Sequence, residues 1–259
     1  MRLYDTHCHL HDKEAFPDPE AVLDRARAAG VARFNVVGVN PADWDNALAF
    51  ADRFDDVFAL LGWHPNYTAD YNPGSLTTLR QLLHHPKVVG LGEIGLDRHW
   101  AYAPFDRQLV ALEDQLALAT DFSLPIIFHV REAFADFIPI LQLRGPDRYV
   151  IHCFSGTKAE ILPLAELGAW FGADGPVTYR KNEELRAAFG AVSVETWLLE
   201  TDSPYMAPIP HRGKPNEPAY LPEILRTMAE IGGRTPEALA ETLWDNSVIA
   251  FSRMPKHPT

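Results

Sequence analysis

The segment Arg2-Leu3-Tyr4-Asp5-Thr6-His7-Cys8-His9-Leu10 carries a short apolar run into a pair of imidazoles. Side chains alternate faces along a strand, so His7 and His9, two residues apart, point the same way. The pattern recurs along the chain as Gly92-Glu93-Ile94-Gly95, Phe128-His129-Val130, Ile151-His152-Cys153 and Leu199-Glu200-Thr201-Asp202. Each is a short apolar run that ends in an acid or an imidazole. Between the runs the apolar spacing turns helical. Phe105, Leu109, Leu112 and Leu116 recur at intervals of four, three and four. Trp44, Leu48, Ala51 and Phe54 mark a second helix face, with Pro41 near its start, where a missing N–H costs little.

Candidate strands lie at 3–6, 33–37, 57–62, 88–93, 125–128, 149–152, 169–172 and 197–200. Gly30 and Gly168 stand where helices close before the next strand, and Thr235-Pro236 opens the last helix. Eight strand–helix repeats in 259 residues predict an α/β fold, a (β/α)₈ TIM barrel of the metallo-dependent hydrolase type, with 1–259 as one domain. The rival is an open doubly wound sheet. The placement of the acids and imidazoles decides between them. They fall at the ends of strands one, four, five, six and eight, which ring one mouth in a barrel but would be strung along a wide edge in an open sheet.

Hydrophobic residues make up 47% of the chain and net charge is −12. A protein that coats nucleic acid would be basic, so a phosphate-bearing substrate must be drawn in locally, by metal ions and a few cations. No apolar run reaches the ~18 residues a membrane span needs, and Met1-Arg2-Leu3-Tyr4-Asp5 does not read as a signal peptide. A cytoplasmic, monomeric protein is expected, with no membrane partner. Cys8 and Cys153 make no disulfide framework. Each adjoins a candidate ligand histidine, which on a strand turns it to the opposite face, into the barrel wall, as a small buried hydrophobe.

Imidazole and carboxylate without thiolate suit Zn, Mn or Mg, and more than four such groups exceed one tetrahedral site. Two divalent ions bridged by a carboxylate would use them all. Glu93, midway in order and with glycines at 92 and 95, is the candidate bridge, since bare glycines allow close approach. Asp202 reads as a metal ligand and as the proton acceptor from an attacking water. His64, in Gly62-Trp63-His64-Pro65 at the end of strand three, is expected to donate to a substrate phosphate. Arg131 follows His129 by two residues and shares its direction. Arg212 and Lys214 lie on the long Pro- and Gly-rich connection 203–218, and with Arg131 they are candidate phosphate contacts. His84, His85, His99 and His257 read as surface residues.

Six stretches together resemble the motifs of the TatD family of metal-dependent deoxyribonucleases in the amidohydrolase superfamily. They are Asp5-Thr6-His7-Cys8-His9-Leu10, Gly92-Glu93-Ile94-Gly95-Leu96-Asp97, Pro125-Ile126-Ile127-Phe128-His129-Val130-Arg131, His152-Cys153-Phe154-Ser155-Gly156, Leu199-Glu200-Thr201-Asp202-Ser203-Pro204 and Arg212-Gly213-Lys214-Pro215-Asn216. The resemblance implies a cytoplasmic hydrolase of DNA phosphodiester bonds, a 3′-to-5′ exonuclease on single-stranded DNA with a place in DNA turnover or repair. It implies one metal held by His7, His9, Glu93 and Asp202, and a second by Glu93, His129 and His152. The chain departs from the family pattern at His11-Asp12, Arg98-His99-Trp100, Gly172-Ala173-Asp174-Gly175 and Asn246-Ser247-Val248-Ile249. The rival functions are a small-molecule ester, lactone or amide hydrolase with the same ligands, and a non-catalytic barrel whose histidines are structural.

Overall fold

A computed structural model describes residues 1–252, so His257 lies outside the described residues. Strands and helices alternate as β1 (Leu3–Cys8), α1 (Pro19–Ala28), β2 (Val31–Gly38), α2 (Pro41–Ala51), β3 (Val57–Leu61), α3 (Leu76–Leu82), β4 (Val88–Asp97), α4 (Phe105–Ala119), β5 (Ile126–Arg131), α5 (Phe134–Arg144), β6 (Tyr149–His152), α6 (Lys158–Glu166), β7 (Trp170–Ala173), α7 (Glu183–Phe189), β8 (Trp197–Leu199), α8 (Leu221–Gly232) and α9 (Pro236–Ala250). The strands make one eight-stranded sheet in chain order. The pairs β1–β2, β3–β4, β4–β5, β5–β6 and β7–β8 are parallel. This order and sense are those of the (β/α)₈ barrel.

Backbone contacts group the described residues into two compact units, one of residues 1–36, 153–166 and 170–249, the other of 37–152, 167–169 and 250–252. In the first, the chain leaving β8 runs beside β1. Asp202 N–H donates to His7 O (2.9 Å) and His9 N–H to Ser203 O (2.8 Å). Its core is aromatic, with Phe154 edge-on to Phe171 and Phe189, and Phe189 edge-on to Trp197. Gly30 here and Gly168 in the second unit both have positive φ (95° and 88°), as residues just past a helix end do. Thr235 Oγ1 accepts from Ala238 N–H (3.3 Å) at the start of α9.

In the second unit, all ten residues of β4 are buried, as expected for a strand covered on both faces. The expected strands 88–93 and 125–128 run on to Asp97 and Arg131 because the pairing continues through Gly95–His129 and Asp97–Arg131. Gly95 makes this possible. Its φ is +146°, and a Cβ there would overlap the His129 carbonyl. The room beside Glu93 is thus taken by the backbone of β5. Helix α4 buries Leu112 and Leu116, as the spacing predicts, and also Gln108 and Gln115. Gln115 Oε1 accepts from Trp63 N–H (2.7 Å) and Gln108 Oε1 from Asp97 N–H (2.8 Å). The two amides fix the ends of β3 and β4, where candidate site residues lie. Phe54 corrects the expected α2 face: the helix stops at Ala51, and Phe54 packs on Phe50 at 5.3 Å from beyond it.

Candidate metal centre

Each unit brings together one acid–imidazole group. In the first, His7, His9 and Asp202 place their ligand atoms within 4.8 Å of one another. His7 and His9 do share a face, with ring centroids 5.4 Å apart. Asp202 joins them because its backbone bond to His7 O holds it at positive φ (53°) beside the end of β1. Its Oδ1 lies 3.3 Å from His9 Nε2 and 3.8 Å from His7 Nε2. Asp5 ties the two segments from below. Its carboxylate accepts from Thr201 N–H (2.9 Å) and Thr201 Oγ1 (2.6 Å). Burial outweighs these bonds and pushes the Asp5 carboxyl up to about 7.

In the second unit, Glu93 Oε1 faces three imidazoles: His129 Nδ1 at 2.7 Å, His64 Nε2 at 3.3 Å and His152 Nε2 at 3.4 Å. Pairing of β5 with β6 sets His129 opposite His152. Burial alone would raise the Glu93 carboxyl, but His64, His152 and His129 outweigh it and hold it well below the usual carboxylate range. His129 also bonds Asp97 Oδ2 through Nε2 (3.0 Å). Burial would lower its pKa, yet Asp97 and Glu93 raise it. For His64, burial dominates and lowers the pKa. Its Nδ1 accepts from Asn66 N–H (3.0 Å), which leaves the proton on Nε2.

Asp97 was quoted in a motif but given no role by the sequence. It is 1% exposed and accepts from His129, from Asn66 Nδ2 (3.1 Å), and from His99 N–H (2.8 Å) and Trp100 N–H (3.0 Å). Burial opposes its charge, but these donors outweigh burial and hold the carboxyl well below its ordinary value. The signal was available: Asp97 lies four residues past Glu93 in one strand, hence on the same face. Glu200 was likewise quoted without a role. Its carboxylate accepts from Cys153 N–H and fills the space that a Cβ on Gly172 would take.

Cys153 corrects an expectation. Strand β6 ends at His152, and Cys153 sits in a turn with φ 46°, so strand alternation does not apply. Its thiol donates to Asp174 Oδ2 (2.9 Å) instead of entering the wall. Cys8 is buried as expected and donates to Asn35 O (3.3 Å). The Arg131 guanidinium lies 5.7 Å from the Trp100 ring centre. Arg212 lies 4.4 Å from the Tyr179 ring centre, and Lys214 is exposed. His84 and His99 are exposed and His85 is half-buried.

The donor chemistry fits a metal at both groups. With Asp97 accepting from Nε2–H, a neutral His129 turns its Nδ1 lone pair toward the Glu93 carboxylate. Lone pair and anion at 2.7 Å require a proton or a cation between them. His64 fits less well as a ligand, because its Nε2 carries the proton and already acts as a donor. His9 and Asp202, and behind them His7, offer nitrogen and oxygen ligands without thiolate.

A family model described as TatD related DNase matches residues 4–252. A Bacillus subtilis protein, the uncharacterized metal-dependent hydrolase YabD, is 34% identical over 96% of this chain and 98% of its own length. The Erwinia tasmaniensis 3′-5′ ssDNA/RNA exonuclease TatD is 33% identical over 92% of this chain and 95% of its own. Among solved structures, the TatD homolog YjjV of Escherichia coli superposes with a TM-score of 0.92 at 32% identity, covering 98% of this chain and 99% of that one. The chain is a (β/α)₈ hydrolase and belongs to the family of TatD related DNases.

Proposed function

We propose that the chain is a metal-dependent 3′-to-5′ exonuclease on single-stranded DNA that works with two divalent ions, Mg, Mn or Zn. The observation that carries this reading is the pair of acid–imidazole groups, His7–His9–Asp202 and Glu93–His129–His152, in a member of this family. Relatives named as exonucleases of single-stranded DNA and RNA, at 33% identity, support the substrate class. The small-molecule hydrolase reading is not favoured, because those relatives act on nucleic acid by name. Two cysteines in no disulfide fit a reducing compartment such as the cytoplasm, and no described helix is long and apolar enough to cross a membrane.

His7, His9 and Asp202 would hold one ion and Glu93, His129 and His152 the other. When bound, such a pair lowers the pKa of a water and offsets charge on the attacking and leaving oxygens. The Asp202 carboxylate takes the proton of the attacking water. Asp97 fixes the His129 ring through Nε2. His64, neutral and with its proton on Nε2, donates to a phosphate oxygen as charge builds there. Arg131, Arg212 and Lys214 supply local positive charge, needed on a chain of net charge −12. Contacts of this kind position a strand without reading its sequence.

The test is a single-stranded oligonucleotide labelled at its 5′ end. The proposal predicts a descending ladder of labelled products with Mg or Mn and none after chelation. Cleavage that survives chelation, or none with any of the three metals, would refute it.

A further inference from the structure

Trp100 and Tyr102, on the segment between β4 and α4, are 43% and 62% exposed, while most aromatic rings of this chain are buried. Their rings stack on each other, with centroids 5.4 Å apart and planes 19° from parallel. The segment is fixed at several points. Trp100 N–H and His99 N–H both donate to Asp97 Oδ1. Arg98 forms a two-pronged bond to Asp136 (2.7 and 2.8 Å) with its guanidinium over Phe105. The His99 ring stands edge-on to Trp100 at 4.7 Å and engages the Glu132 carboxylate through Nδ1 (2.7 Å). Arg131 lies on the Trp100 side at 5.7 Å and makes no ion pair among the described residues.

We infer that Trp100 and Tyr102 are a stacking platform for a nucleobase of the single-stranded substrate, with Arg131 beside it for the flanking phosphate. This rests on the nuclease reading and names the part of the substrate that the site grips. Exposed parallel aromatic faces next to an unpaired guanidinium suit a strand whose repeat is a flat base and an anion. Every base has a π-face, so the contact tolerates any sequence. The platform is also coupled to the chemistry. Asp97 carries the Trp100 amide on Oδ1 and the His129 ring on Oδ2, so a base seated on Trp100 is held in register with the Glu93–His129 group. This stretch, Arg98-His99-Trp100, is one where the chain departs from the TatD pattern, so the grip belongs to this protein.

The test compares wild type with Trp100→Ala, Tyr102→Ala and Trp100→Phe on a single-stranded oligonucleotide and on one whose 3′ nucleotides lack bases. Both alanine variants should raise KM about tenfold on the intact strand, at least fivefold more than on the abasic one, with kcat little changed. Phe at 100 should restore most of the loss. Equal losses on the two substrates, or none on either, would overturn the inference. Binding of a phosphorothioate oligothymidylate, which resists cleavage, reads the platform without turnover and should weaken about tenfold in the alanine variants. A wild type that binds this strand through Trp100 yet cleaves nothing would sink the nuclease reading alone. A wild type that cleaves DNA, with binding and KM untouched by either alanine, would sink the platform alone.

Discussion

Asp97→Asn changes one atom and should reverse the hydrogen-bond logic around His129. In the native chain Asp97 Oδ2 accepts from His129 Nε2 at 3.0 Å, and Nδ1 faces Glu93 at 2.7 Å. The asparagine keeps Oδ1 for the amides of His99 and Trp100, both of which are within 3.0 Å. Its NH₂ then occupies the Oδ2 position and turns a donor toward Nε2. The ring answers by moving its proton to Nδ1, where it donates to Glu93 and no lone pair remains for a metal. Loss of such an outer partner typically costs about 10–100-fold in metal affinity, or about 1.4–2.7 kcal/mol. Calorimetric titration with Mn²⁺ at fixed pH should show one of two binding events weakened by that factor and the other unchanged. Nitrogen chemical shifts of the His129 ring should report the tautomer switch. Two unaltered binding constants, or a His129 ring that keeps its proton on Nε2, would refute the argument.

Other perturbations probe separate links. Gly95→Ala places a Cβ against the His129 carbonyl at a φ of +146°; overpacking of this kind costs about 1–3 kcal/mol, and each kcal/mol should lower Tm by roughly 2–4 °C in calorimetry. A Tm equal to wild type would mean that β4 and β5 are not held this closely. Replacing Arg212 and Lys214 together with Ala should weaken oligonucleotide binding, and it should flatten the dependence of log K on log salt by about 1.4, since each phosphate contact with a single strand contributes about 0.7. An unchanged slope would remove both from the phosphate contacts. Glu93→Ala and His9→Ala should each cost about one of two equivalents of bound metal by elemental analysis; a variant that keeps both equivalents would remove its residue from the ligands.

The residues at the strand ends were legible because strand geometry is simple. Alternation put His7 and His9 on one face, and a run of buried apolar residues fixed where each strand lay. Asp202 was legible as a strand-end acid, but the backbone bond to His7 O that turns it toward the histidines is a contact between residues 195 positions apart and left no trace in local pattern. Asp97 escaped because strand four was ended at 93, while Gly92 and Gly95 read as room for a metal when they make room for β5. Gln108 and Gln115 lie off the apolar spacing that marked α4, and that spacing gave no sign that they hold backbone ends that would otherwise be unsatisfied. Cys153 was misplaced for a related reason: alternation was carried one residue beyond the strand, into a turn at positive φ.

The central claim is that two acid–imidazole groups each bind a divalent ion. An anomalous-difference map from crystals loaded with Mn²⁺ tests it most directly. The account predicts two peaks, one among His7, His9 and Asp202 and one at Glu93 and His129. A map without a peak at either group would contradict it.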